Sequence, residues 1–397
     1  MGEDETARVE ELARAAYGRL LAILAAKTGD IAAAEDALAD AFVEALRRWP
    51  KAGAPDNPEG WLLTVARNRW RDRLKSAANR TAAPMEAADD VGLEEVDPEM
   101  IPDNRLMMMF VAAHPAIAAG VRTPLMLQTV LGLEADRIGS AFLVPKQTMA
   151  QRLVRAKAKI KAAAIPFRLP ERSEMPERMA AVLEAIYGAY ALDWAAGDDL
   201  TREAVFLADL TVELAPEEPE ALGLAALLAF SEARRPGRDP EIYAPLADQD
   251  PKRWDQRRIA RGEALLKRAR AKGAMGRFQL EAAIQSAHCA RRPGEAPDWR
   301  AIAMLYEGLF KIAPTIGAAV GRAAAFGEAF GPENGLAALD QIGLEAAKGF
   351  QPYWATRARL LAAAGAPSAE AFAKAISLTP DPAPRRWLEA QNERART

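Results

Sequence analysis

Lys146, Gln147, Thr148, Gln151, Arg152, Arg155 and Lys159 recur along one side of a short stretch. Its other side is apolar, with Met149, Leu153, Ala156 and Ile160 spaced three or four residues apart. Side chains of these types can read DNA: glutamine and arginine bond base edges, while lysine and arginine further along meet phosphates. A shorter amphipathic run with Ile138, Ala141 and Phe142 comes before, and Leu143-Val144-Pro145 makes a tight turn between the two. This pattern predicts a helix-turn-helix whose second helix enters the major groove. Taken alone, the segment fits an ordinary basic surface helix as well.

A second basic set lies upstream. From Trp61 to Arg80 the residues Arg67, Arg69, Arg71, Arg73, Lys75 and Arg80 face a single acid, Asp72. Arg67, Arg71 and Lys75 are four apart and share one face of a helix. Between the two basic sets, Thr81 to Met100 has no basic residue and carries Glu86, Asp89, Asp90, Glu94, Glu95, Asp97 and Glu99. The formal net charge of −3 over 397 residues conceals this segregation. Two nucleic-acid contacts joined by a flexible acidic linker are expected.

The residues offer no catalytic constellation. His114 and His288 with the single Cys289 make no zinc site of ordinary spacing. No glycine-rich phosphate loop occurs, and carboxylate pairs on helices are more often salt-bridge partners than acid/base dyads. No metal, no cofactor and no enzyme activity are expected. Hydrophobic residues make up 50% of the chain, and one cysteine fits a reducing compartment. The acidic N-terminus lacks a signal-peptide pattern, and the longest apolar run, near Ala221 to Phe230, is too short for a bilayer. The expectation is a cytoplasmic protein with no membrane partner.

The elements that must position these residues read as helices. Val9, Leu12, Ala16, Leu20 and Leu24 form one stripe. Ile31, Ala34, Leu38, Phe42, Ala45 and Trp49 form another, with Asp30 as N-cap. Pro50 to Pro58 reads as a loop, Asn57 as the next N-cap and Pro58 as the first helical residue. Beyond about Glu177 a phrase recurs in which a proline precedes a helix, at Pro216, Pro314 and Pro380. The separations approach three and two multiples of a tetratricopeptide period of about 34 residues. A generic alanine-rich bundle is the other reading of that region.

The motifs AAEDALADAFVEALRRWP and NPEGWLLTVARNRWRDRL resemble region 2 of extracytoplasmic-function sigma factors of bacterial RNA polymerase. RTPLMLQTVLGLEADRIGSAFLVPKQTMAQRLVRAKAKI resembles their region 4, and ADQDPKRWDQRRIARGEALL resembles the subgroup with a C-terminal tetratricopeptide-like extension. The resemblance implies an all-α chain: region 2 over 1–78, an acidic linker over 79–102, region 4 over 103–165 and a helical extension over 166–397. It implies that Glu35, Asp36, Asp40, Phe42 and Glu44 dock on the β′ clamp helices of core RNA polymerase. Trp61, Arg67, Asn68, Arg69, Arg71 and Lys75 would hold the minus-ten element, with Asn68 capturing a flipped base. Lys146, Gln147, Thr148, Gln151, Arg152, Arg155 and Lys159 would read the upstream, minus-thirty-five element. The implied partners are core polymerase, promoter DNA and a protein bound by the C-terminal array.

The chain departs from the family in three places. Its turn carries Leu143-Val144-Pro145 in place of a glycine. Val111-Ala112-Ala113 precedes His114-Pro115 where relatives often have two cysteines, and Gly188-Ala189-Tyr190 replaces a more polar phrase. The alternative to an initiation factor is a tetratricopeptide-type interaction scaffold with a degenerate DNA-binding front end.

Overall fold

The computed structural model describes residues 2–81, 103–171, 173–193, 199–237 and 241–395. Their regular elements are all helices, with no strand among the described residues. Of the stretch expected as an acidic linker, 79–102, residues 79–81 instead continue the third helix, and 82–102 lie outside the described residues. The chain forms two compact units, 1–210 and 211–397.

In the first unit the helices are α1 (Gly2–Thr28), α2 (Ile31–Ala52), α3 (Pro58–Thr81), α4 (Arg105–Ala112), α5 (Ala119–Leu131), α6 (Ala135–Ala141), α7 (Lys146–Ala162), α8 (Met175–Asp193) and α9 (Asp199–Leu214). Asp30 caps α2, its carboxylate accepting the Ala33 N–H at 3.2 Å. The expected stripe is the buried face of α2: Ile31, Ala34, Ala37, Leu38, Ala41, Ala45 and Trp49. That helix runs two residues beyond Pro50, into what the sequence suggested was loop. The proline lies in the last turn, where it costs a single ladder bond, and the Gly53 N–H still bonds Trp49 O at 2.9 Å. Asn57 caps α3 as expected, accepting the Gly60 N–H at 2.9 Å.

Helix α1 packs against α2 and α3 on one side and against α4 and α5 on the other. Gly18 makes the second contact possible. A Cβ there would collide with the Val130 carbonyl oxygen of α5, so the two backbones approach as only glycine permits. Helix α8 packs on α4 and α5, and Arg122 of α5 reaches Glu177 of α8 at 3.3 Å. Arg105, only 8% exposed, is held by Asp103 and Glu203 and lies over the Phe206 ring at 4.8 Å, which ties α9 to α4. Helix α8 and most of α9 thus belong to the first compact unit.

The second unit contains α10 (Pro219–Ala233), α11 (Gln256–Arg270), α12 (Arg277–Cys289), α13 (Trp299–Ile312), α14 (Ile316–Phe330), α15 (Pro332–Asp340), α16 (Leu344–Ala347), α17 (Gln351–Ala363), α18 (Ala369–Ser377) and α19 (Pro382–Arg394). Its recurring phrase marks interhelix links. Glu218, Thr315 and Asp381 follow the prolines by one or two residues and cap α10, α14 and α19. Apolar clusters form in succession along the chain: Leu280, Ile302 and Leu309, then Val320, Leu339 and Tyr353, then Ala358, Phe372 and Leu388. Each cluster draws on helices close in sequence.

His288 is 7% exposed, edge-on to Trp299 with ring centroids 5.5 Å apart. Burial, with Arg234 and Arg291 nearby, pushes it down to about 4. The unfolded chain therefore takes up this proton below its ordinary value near 6.5, whereas the folded chain resists until about 4. Stability falls as pH drops through that window, by about 3 kcal/mol at 1.36 kcal/mol per pH unit. His288→Gln should remove this slope, as read from guanidinium midpoints at pH 7 and 4.5. Equal pH dependence in parent and variant would contradict it.

Candidate nucleic-acid interface

Helices α6 and α7 meet at a turn built differently from the sequence expectation. The glycine it needs is Gly139, inside α6, where a Cβ would stand 2.6 Å from the Val144 carbonyl oxygen. The Val144 N–H closes the turn on Gly139 O at 2.8 Å. Leu143 takes the left-handed conformation instead of a glycine, with φ +53°, at a cost of about 1–2 kcal/mol, and is 94% exposed. With the turn fixed, Met149, Leu153, Ala156 and Ile160 are buried. Lys146, Gln147, Thr148, Gln151, Arg152, Arg155 and Lys159 are all exposed on the remaining surface of α7. Val154, 63% exposed between Gln151 and Arg155, was not singled out from sequence, and a valine there offers apolar contact to a thymine methyl.

Helix α3 presents the second basic set. Asn68, Arg69 and Lys75 are exposed, while Trp61, Arg67, Trp70 and Arg71 are half-buried. Trp61 packs edge-on against buried Trp49, with centroids 5.5 Å apart. The Arg67 guanidinium holds its proton less firmly than usual, through burial first and then the charge of Arg71. Lys27, at the end of α1, is lowered by burial and by the same two arginines. Lys27, Arg67 and Arg71 thus form one concentration of positive charge across two helices. The lysine, 40 residues from Arg67 in the chain, carries no local sign of this role.

The acids of α2 divide between two neighbours. Asp36, Asp40 and Glu44 are four apart and face α3. Arg73 reaches Asp36 at 3.0 Å and Asp40 at 2.7 Å, and Arg69 reaches Glu44 at 3.4 Å. Glu44 also bonds Arg48 at 2.6 Å, which, with Arg69 and Arg47, holds it below the usual carboxylate range. Glu35 faces the other way and pairs with Lys157 of α7 at 2.6 Å. Phe42 is half-buried, while Val43 and Leu46 are 50% and 42% exposed beside these acids. This mixed apolar and acidic surface suits a protein partner, and its two aliphatic residues were not anticipated.

His114 serves its own turn, its Nδ1 accepting the Ala116 N–H at 3.1 Å. No group of three His, Cys, Asp or Glu side chains able to hold a metal occurs among the described residues. No helix among them is long and apolar enough to cross a membrane. The arrangement is one of charge and shape for binding: two basic helices, one of them fronted by an acidic helix.

Comparison with known proteins defines the class. Residues 12–80, covering most of α1 through α3, match sigma-70 region 2. Residues 178–270 match a family of unknown function (DUF6596). The uncharacterized protein R00370 of Rhizobium meliloti is 34% identical over 376 residues, which span 90% of this chain and 89% of that protein. A probable ECF RNA polymerase sigma factor SigI of Mycobacterium tuberculosis is 28% identical over 138 residues, 33% of this chain and 47% of that protein. No solved structure matches the chain. The chain belongs to the sigma-factor family, with its region 2 followed by a helical C-terminal extension.

Proposed function

We propose that this chain is an initiation factor of the extracytoplasmic-function type, which binds core RNA polymerase in the cytoplasm and directs it to promoters. Helices α1 to α3 act as region 2: the acids of α2 with Phe42, Val43 and Leu46 meet the β′ clamp helices. Asn68 and its neighbouring cations hold the minus-ten strand. Helices α4 to α7 act as region 4, with α7 as the helix-turn-helix reading helix in the upstream major groove. The C-terminal helices stack as a tetratricopeptide-like array that offers a surface to a protein partner. The polymerase performs the chemistry.

The observation that carries this reading is the exposed polar face of α7, whose seven residues all stand clear of the core. The resemblance to region 2 supports the rest. Copurification tests it: full-length tagged chain should retain core polymerase from a lysate of its host. A scaffold with a degenerate front end would leave the polymerase unretained.

A further inference from the structure

From Lys252 to Lys272 there are nine cations against two acids, a local charge of +7 in a chain whose net charge is −3. Helix α11 holds most of this charge and is firmly seated. Asp255 caps it, accepting the Arg257 and Arg258 N–H groups at 2.9 and 3.1 Å. Gly262, Leu265 and Ala269 form its buried side. A Cβ at Gly262 would stand 2.8 Å from the Phe230 ring of α10, so the two helices approach closely. The outer side is exposed, with Arg257, Arg261 and Arg268 spaced four and seven residues apart along one face. Lys267 and Arg270 are exposed beside this row.

The acids nearby are already engaged. Asp255 pairs with Arg258, Glu263 accepts from Ser286, and Glu217 pairs with Lys272. Among the described residues no carboxylate forms an ion pair with Arg257, Lys267 or Arg270. The helix dipole favours cations in the last turn, which accounts for Lys267, Arg268 and Arg270. It disfavours them at the start, where Arg257 stands with Lys252 and Arg253 just ahead of the helix. Helix stability therefore does not explain the whole face.

We propose that α11 binds the phosphate backbone of duplex DNA, a sequence-independent contact in addition to those assigned to α3 and α7. The inference rests on the initiation-factor reading, which brings the chain to DNA. Charge complementarity favours DNA over an acidic protein. A protein interface has an apolar centre depleted of charge, and no large apolar side chain is exposed from 252 to 272. Between its cations the face offers only small side chains, Ala260, Ala264 and Ala271. From Arg257 to Arg270 the helix runs about 20 Å at 1.5 Å per residue. A duplex presents about 12 phosphates over that length, and release of their counterions drives binding without reading sequence.

Salt titrations of DNA binding by the full chain, on promoter and scrambled duplexes, test the proposal. Arg257→Gln, Lys267→Gln, Arg268→Gln and Arg270→Gln together should lower the slope of log K against log salt by about 3.6, at about 0.9 per phosphate contact. The loss should be the same on both duplexes, and Arg257→Gln alone should lower the slope by about 0.9. Glutamine is a good helix former, so circular dichroism should show unchanged helix content. Arg257→Lys, Arg268→Lys and Arg270→Lys together keep the charge and should keep the parental slope. A parental slope in the glutamine variants would overturn the proposal, as would an equal loss in the lysine variant. A larger loss on single-stranded RNA than on duplex DNA would assign the face to RNA instead. Lost copurification of polymerase in the fourfold glutamine variant, with its DNA slope unchanged, would assign the face to polymerase and overturn the DNA contact. A parent that fails to copurify with polymerase would fail the initiation-factor reading, while the slopes would still decide whether α11 binds DNA.

Discussion

Alanine at both Gln147 and Arg152 is expected to lower affinity for the upstream promoter element by about 2–6 kcal/mol, at about 1–3 kcal/mol for each base-edge contact. Both side chains are exposed on α7 and take no part in the Met149, Leu153, Ala156 and Ile160 face that holds the helix in place. Alanine is also the best helix former, so helicity should not fall. Specificity is what should be lost: the variant should bind promoter and scrambled DNA nearly alike. Lys159→Ala provides the contrast. A phosphate contact carries no sequence information, so its removal should weaken both DNAs together and reduce the salt slope by about 0.9. Competition titrations at two salt concentrations separate these outcomes. Equal losses on both DNAs for the Gln147 and Arg152 variant would remove these residues from base reading.

Asn68→Ala should leave polymerase binding intact and reduce open complexes by about 1–3 kcal/mol, roughly 5- to 150-fold. Asn68 stands exposed on α3, between half-buried Arg67 and Arg69, which is tied to Glu44. It offers both a donor and an acceptor to the Watson–Crick edge of an extruded base, and alanine offers neither. The acids and aliphatic residues of α2 are untouched by the change. Permanganate reactivity of unpaired thymines around the start site measures opening, and copurification measures binding on the same sample. Undiminished thymine reactivity would reject base capture by Asn68.

Much of the architecture was legible because it is local. The apolar stripes of α1, α2 and α7 repeat every three or four residues, and Asp30 and Asn57 cap within three residues of themselves. The prolines at 216, 314 and 380 likewise mark links that the adjacent caps complete. The turn before α7 was harder, because its required glycine is four residues upstream of Leu143 and looks like an ordinary helical residue. Least legible were contacts between distant segments. Nothing near Gly18 shows that a helix more than a hundred residues later presses on it. Glu35 reads as one more acid on a charged helix until its partner, 122 residues away, is brought against it. The same holds for Asp36 and Asp40, whose spacing shows a shared face while Arg73 decides what that face meets.

Run-off transcription with purified core polymerase tests the central claim most directly, on a promoter identified by sequencing transcripts after brief overexpression of the chain. The account predicts a defined transcript that requires the full chain, is lost with Gln147 and Arg152 both replaced, and falls with Asn68→Ala. A polymerase that starts equally well without the chain, or a chain that yields no transcript from any promoter recovered in this way, would contradict it.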